Sequence, residues 1–324
     1  MAYIVFDLEW NQCPYGKARE VRGLPFEIVE IGAVRLNEEK EITGTFHRFI
    51  KPAVYKSLHF RTREVISIKM SELREGQPFM EAADEFFEFC GEEPVFCTWG
   101  PHDLTELQRN LRFYNSDMKI AQPLFFLDVQ KLFARTYETG KEQRALSYAA
   151  EFLELKHDGE FHRALDDAMF TALVLQRIPD EVIRTRFSVD TFRVPLRRSE
   201  EIRIRYPDYE KFISREFFDS DAIMRDRDIT RITCFVCGRP LRRKLPFFRT
   251  GTHVYQGAAM CPEHGYVKCK IRIKKSVDGG FFASRTTKMI SEERYAELLA
   301  KKNKKKAGNK EPSLTDELTS ESIK

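Results

Sequence analysis

Apolar and polar side chains alternate over residues 3–9, where β-branched and aromatic residues dominate, so the chain opens on a strand. Residues 27–36 and 42–50 read the same way, with the polar turn 37–40 between them, which predicts a three-strand meander. Behind Pro78 the apolar spacing becomes helical over 78–90. A short apolar run at 94–99, bounded by Pro94 and Gly100, predicts a buried strand, and 103–114 a helix. A second strand-type run at 123–129 precedes helices near 143–155 and 163–177, and Pro179 closes this part of the chain. A meander followed by strands alternating with helices predicts an α/β fold, a mixed sheet covered by helices.

The rest of the chain has a different texture. Residues 181–230 are charged, balanced in sign and helical in places over 209–224, which suggests a linker or helical arm. Residues 231–285 hold four of the seven cysteines. Residues 291–306 carry acids first and lysines last, matching a helix dipole, and a polar tail expected to be disordered follows. The predicted organisation is therefore 1–180, a linker at 181–230, a cysteine module at 231–285, and a helix with tail at 286–324.

Charge sharpens that division. The net +4 hides a net of −8 over residues 1–180 and +10 over 231–285. An acidic unit suits cations and a basic one suits a polyanion. The composition, 42% hydrophobic and 32% charged, is that of a globular protein, and no uncharged apolar run is long enough to span a membrane. The N-terminus lacks a basic n-region and reads as a strand, not a signal peptide. Cys13, Cys90 and Cys97 sit in apolar contexts as core thiols. Reduced thiols beside a metal-type cysteine cluster predict a cytoplasmic protein.

Asp7 and Glu9 lie two apart on the first strand, so both carboxylates share a face at its C-terminal end, the edge where ligands gather in α/β sheets. Phe6 and Leu8 face the other way, into the core. Asp103 follows a buried strand where a helix begins, a position that also suits an N-cap. His162 precedes a helix, and Asp167 follows five residues later in its first turn. Asp166 is read as a dipole-pairing acid outside the site. Four clustered carboxylates repel one another unless cations occupy the space between them.

The Asp-Leu-Glu at 7–9, Asp103 in Trp-Gly-Pro-His-Asp-Leu, and His162 with Asp167 in FHRALDD stand in an order and spacing that resembles the DEDDh 3′→5′ exonucleases. That superfamily includes ribonuclease T and the proofreading subunit of DNA polymerase III. The segments EIVEIGAV and FHRALDDA are most similar to the ERI-type RNA 3′-end exonucleases and the KapD-like group. The resemblance covers about residues 1–178 and implies a ribonuclease H-like mixed sheet with helices on both faces. It implies two Mg2+ or Mn2+ ions, with Asp7, Glu9 and Asp167 on the first, Asp7 bridging to the second, and Asp103 acting there directly or through water. It implies His162 as the general base, single-stranded nucleic acid as substrate with RNA favoured, and Glu30 at the terminal sugar hydroxyls, an edge-of-sheet acid being the alternative. Trp10 either stacks on a terminal base or packs in the core. The sequence departs from the family at Trp10–Asn11, where a threonine is frequent.

Cys234-x-x-Cys237-Gly and Cys261-x-x-His264-Gly resemble the two knuckles of a zinc ribbon, with one structural Zn2+ and Cys269 as a possible replacement for His264. A 55-residue module has little core, so a metal would staple it. The same module carries Arg242, Arg243 and Lys244, and the stretch KCKIRIKK brings Lys270, Arg272 and Lys274 among five cations assigned to one strand face, which predicts phosphate-backbone binding. Two other functions fit: a phosphodiesterase trimming very short oligonucleotides, and a non-catalytic nucleic-acid adaptor with a retired nuclease fold.

Overall fold

The computed structural model describes residues 2–66, 68–115, 120–137, 143–159 and 161–308. It divides into two compact units, Met1–Phe192 and Arg193–Lys324.

In the first unit the meander consists of β1 (Ala2–Gln12), β2 (Phe26–Leu36) and β3 (Ile42–Phe49). Two short helices follow, α1 (Phe60–Val65) and α2 (Met70–Arg74), then α3 (Phe79–Cys90), β4 (Pro94–Thr98) and α4 (His102–Phe113). The unit ends with β5 (Phe125–Asp128), α5 (Val129–Tyr137), α6 (Leu146–Phe152), α7 (Ala164–Arg177), α8 (Asp180–Thr185) and β6 (Ser188–Val189). The strand order is β3-β2-β1-β4-β5-β6, with β1 antiparallel to β2 and parallel to β4.

Strand periodicity divides β1 between two cores. Ile4, Phe6 and Leu8 pack with α3 and α4 side chains such as Phe86 and Leu107. Tyr3 and Val5 pack on the opposite face with Ala168, Ala172 and Leu175 of α7 and Phe133 of α5. Helices thus cover both faces of a mixed sheet. Asp7 and Glu9 continue the Tyr3–Val5 face, the one that α7 covers. Pairing with β4 stops at Val5, so the functional end of β1 runs past its parallel neighbour.

The stretch expected as a helical linker is not one. Residues 181–192 belong to the first unit through α8 and β6. In the second unit, β7 (Ile202–Arg205) and β8 (Glu210–Ile213) come from the same stretch, before α9 (Ser220–Arg225) and α10 (Arg227–Thr230). They join β9 (Arg243–Gly251), β10 (Val254–Cys261), β11 (Gly265–Lys275) and β12 (Phe281–Met289) in one antiparallel sheet of order β7-β8-β12-β11-β10-β9. Backbone pairing of β8 with β12, Lys211 opposite Thr286, overrides the helical spacing of the segment. The expected boundary at 285 cuts through β12. The cysteine module is thus part of a larger unit with its own core, including Phe212, Ile223, Ile271 and Ala283. Helix α11 (Glu292–Gly308) follows, and the tail expected to be disordered lies outside the described residues from 309 on.

Candidate active site

Three elements bring the predicted acids together. β1 delivers Asp7 and Glu9; α4 delivers Asp103 in its first turn; α7 delivers Asp167 in its first turn. Asp103 is almost fully buried, and its Oδ1 accepts the Leu8 backbone N–H at 3.3 Å, beyond the reach of the β4 ladder. That bond ties the start of α4 to the strand between the other two acids. Asp167 Oδ2 accepts the His162 N–H at 3.1 Å, while its Oδ1 is buried with no hydrogen-bond partner. One donor atom each from Glu9, His162 and Asp167 lies within 4.8 Å of the others. His162 is exposed and has φ 69°, a left-handed conformation uncommon outside glycine but one in which histidine is enriched.

The approach of α7 depends on Gly32, which sits opposite Asp7 in the β1–β2 register. A Cβ there would collide with the main chain of Ala164 and Leu165. The helix start therefore rests directly on the strand backbone. Glycine inside a strand is a known mark of such an approach, and Gly32 is a residue of this site that neither charge nor spacing singles out.

Glu30 is fully buried, and its oxygens are taken by protein groups: His47 Nε2 at 2.6 Å, Arg163 Nε and a terminal nitrogen at 3.3 Å each, and the Ala164 N–H at 3.3 Å. It anchors the N-terminus of α7, and because β2 lies between β3 and β1 it is not the edge-of-sheet acid of the alternative reading. Trp10 is half-buried with its ring 5.8 Å from Phe26, packed against the first core. Asp166 accepts from His157 at 3.0 Å, outside the acid cluster. Asn11, at the departure from the family, is fully buried, and its amide donates to Ser57 and Tyr55 carbonyls.

The cluster is electrostatically loaded. Burial, then the charges of Asp103, Asp167 and Glu9, push the Asp7 carboxyl well above its ordinary value. Burial with Asp167 and Glu30 takes Glu9 up to about 8, against the pull of Arg163. Burial raises Asp103 to about 7, opposed by the Leu8 amide, and Asp167 to about 6, opposed by the His162 amide. Such acids hold protons in the folded chain that the unfolded chain releases at lower pH. Folding stability therefore falls as pH rises from the ordinary carboxylate range towards 8. Chelator-treated protein is expected to melt several degrees higher at pH ~5.5 than at pH ~8.5. Equal or reversed melting temperatures would remove the strain inferred here.

The second cluster is Cys234, Cys237, Cys261 and His264, again within 4.8 Å of one another. His264 Nδ1 is 3.7 Å from Cys234 Sγ and 3.5 Å from Cys261 Sγ, and Cys237 and Cys261 sulfurs are 3.9 Å apart. These match the edges, about 3.5–3.8 Å, of a tetrahedron with ~2.3 Å zinc–sulfur bonds. Gly238 and Gly265 have φ of 72° and 83°, the turn each knuckle needs after its second ligand. Burial works to raise the Cys261 thiol, but the Glu263 and His264 amides and the His264 ring bring it down to about 6. Cys269 lies elsewhere: it is buried in the β11 core and receives the Thr287 hydroxyl at 3.9 Å.

Arg242, Arg243 and Lys244 are exposed. On β11 the alternation puts Lys268, Lys270, Arg272 and Lys274 opposite the buried Val267, Cys269, Ile271 and Ile273, so Lys275 falls on the other face and the expected five cations are four. Tyr266 on their face stacks on Tyr295 of α11 at 4.2 Å, and Phe282 is buried, so neither ring is open to a base.

An exonuclease family model, RNase_T, matches residues 4–175. The probable 3′-5′ exonuclease KapD of Bacillus subtilis (strain 168) is 26% identical over 181 residues, covering 55% of this chain and 84% of that protein. Among solved structures, the nuclease domain of 3'hExo, a DEDDh family member bound to rAMP, aligns with 18% identity and a TM-score of 0.49, covering 58% of this chain and 96% of that one. Cell-death related nuclease 4 (CRN-4) aligns with 19% identity and a TM-score of 0.47, covering 58% and 65%.

Proposed function

This chain belongs to the RNase_T exonuclease family and is a 3′→5′ exonuclease of the DEDDh type, and on that premise we propose that it shortens single-stranded nucleic acid, RNA before DNA. The observation that carries the residue assignment is the buried, unpartnered Asp167 Oδ1 beside Glu9 and His162. An orphaned oxygen among acids that resist ionising together is a fit for hard divalent cations. Asp7, Glu9, Asp103 and Asp167 would hold two such ions, Mg2+ or Mn2+, which would neutralise charge on the phosphate and on the attacking and leaving oxygens.

His162 stands outside the carboxylates, exposed, with its main chain held by Asp167. Its ring takes the proton from the attacking water. Glu30 and Arg163 hold the start of α7, and so the separation of Asp167 from Glu9. The preference for RNA rests on the likeness of residues 27–34 and 161–168 to the ERI-type enzymes.

A 5′-labelled oligonucleotide with magnesium or manganese tests the reading. Stepwise shortening from the 3′ end is expected; products from two- to five-mers alone would favour a phosphodiesterase, and binding without products an adaptor. His162→Ala is expected to slow shortening by about 10²–10⁴-fold while calorimetry still detects divalent-ion binding. Full activity would remove the histidine from its role.

In the second unit, Cys234, Cys237, Cys261 and His264 would hold one structural zinc, and Arg242, Arg243, Lys244, Lys270, Arg272 and Lys274 would engage phosphates. The sheet has a core beyond the cysteines, so the metal braces the knuckles and is not the sole support of the unit. Chelation is expected to lower the melting temperature by roughly 10 °C, from about 3 kcal/mol, with the β signal in circular dichroism retained. Absence of zinc by elemental analysis of the purified protein would overturn this.

A further inference from the structure

Away from the acid cluster, the first unit contains a cavity of about 540 Å3 formed by the loop after β3 and by α1 and α2. Its floor is apolar, from Leu58, Ile66, Ile68 and Met70. Its rim carries Lys56, Arg63, Lys69 and Arg74, and among the described residues no carboxylate lines it. All four cations are exposed; Lys56 Nζ donates to the Pro52 carbonyl at 2.9 Å, and the Glu72 carboxylate accepts the Lys69 backbone N–H at 2.9 Å without forming an ion pair with its ammonium. The volume falls in the ~300–1,000 Å3 range of small-ligand sites.

The wall is held from inside the protein by two buried polar side chains. Asn11 donates to the Ser57 carbonyl at 2.9 Å and accepts the His59 N–H at 2.9 Å. Glu27 accepts the Ala53, Val54 and Tyr55 N–H groups at 2.6, 2.7 and 2.7 Å. Burying an amide and a carboxylate is costly, and here both are spent on fixing residues 53–59. Asn11 is also two residues beyond Glu9 on β1, about 7 Å along the strand. Beside the cavity, Phe60 is 58% exposed with the Arg61 guanidinium 5.7 Å from its ring centroid.

We infer that this cavity is a subsite for the substrate strand itself, taking phosphodiesters upstream of the 3′-terminal nucleotide on its four cations and an unstacked base on its apolar floor. The inference rests on the exonuclease reading above. A repeating anion accounts for several unpaired cations around one floor, and a base needs that floor to be apolar. A lone small anion would account for the cations only.

The test is the double variant Arg63→Gln/Lys69→Gln of the full chain, with thermal unfolding as a check on folding. Two readouts are compared with the parent protein. The first is the salt dependence of binding a 5′-fluorescent ten-nucleotide RNA in chelator, where the slope of log affinity against log salt is expected to shrink by about 1.4, from roughly 0.7 per lost contact to a single strand. The second is the kcat/KM ratio between the ten-mer and a dinucleotide, expected to fall about tenfold through KM. An unchanged slope and ratio would overturn the inference. So would binding of inorganic phosphate or AMP weakened as much as binding of the ten-mer, which marks a small-anion site. A parent protein that shortens no oligonucleotide defeats the exonuclease reading, and the salt slope still decides the cavity.

Discussion

Asp7→Asn is expected to slow 3′-end shortening by at least about 10³-fold and, in the same protein, to raise its melting temperature at pH ~8 in chelator. The first effect follows from the proposed role of Asp7 as an oxygen ligand to the divalent ions; losing about 4 kcal/mol of charge stabilisation corresponds to that factor. The second follows from repulsion. Asp7 stands among Asp103, Asp167, Glu9 and Glu30, and burial with those charges holds its carboxyl far above the ordinary range. A neutral amide of the same shape has no proton to hold against the unfolded chain, so the cost of that raised carboxyl disappears without opening a cavity. Single-turnover kinetics with a labelled RNA and a thermal melt read the two effects separately. Activity within tenfold of the parent would remove Asp7 from the reaction, and an unchanged melt would show the acids to be well solvated.

Gly32→Ala is expected to cost about 10²-fold in activity or more, with a loss of stability of roughly 1–3 kcal/mol. The added methyl runs into the Ala164–Leu165 peptide unit at the start of α7, and backbone cannot rotate out of the way as a side chain can. Helix α7 must lift, carrying Asp167 and the His162 loop away from Glu9. Closely packed interiors do not absorb such a shift locally. Activity equal to the parent's would show that α7 can seat elsewhere. Fluorescence-detected melting would separate a displaced helix from general unfolding.

These outcomes bear on what a sequence discloses. The period of two along β1 was enough to place Asp7 and Glu9 on one face, because that relation is local. Whether Asp103 and Asp167 meet them is a question of chain crossing, and the local mark of it was Gly32 between the apolar Ile31 and Ala33 of β2. Glu30 was visible as an acid among apolar neighbours, but its partners lie 17 and 133 residues away, at His47 and Arg163, and no spacing rule reaches that far. Helices α1 and α2 bury one residue each, Thr62 and Leu73, and are too short to display a period. Residues 202–205, Ile-Arg-Ile-Arg, did alternate as a strand should, but the surrounding charges suggested a linker. Their place in a sheet depends on β8, itself fixed by β12. The cysteine and histidine knuckles were legible because two-residue spacing and a following glycine are local; the size of the sheet behind them was not.

Among the described residues Arg285 is the largest fully buried side chain, and it donates to the carbonyls of Asp228, Ile229 and Arg231 at the end of α10. Three residues further on stands Cys234. A guanidinium that gathers three carbonyls fixes where the chain leaves that helix, so the first thiol is delivered to its position by the sheet. The consequence, if the cluster takes the proposed ion, is an order of events: the knuckle would be poised before the ion arrives, and recapture of a lost ion would require a collision, not a refolding.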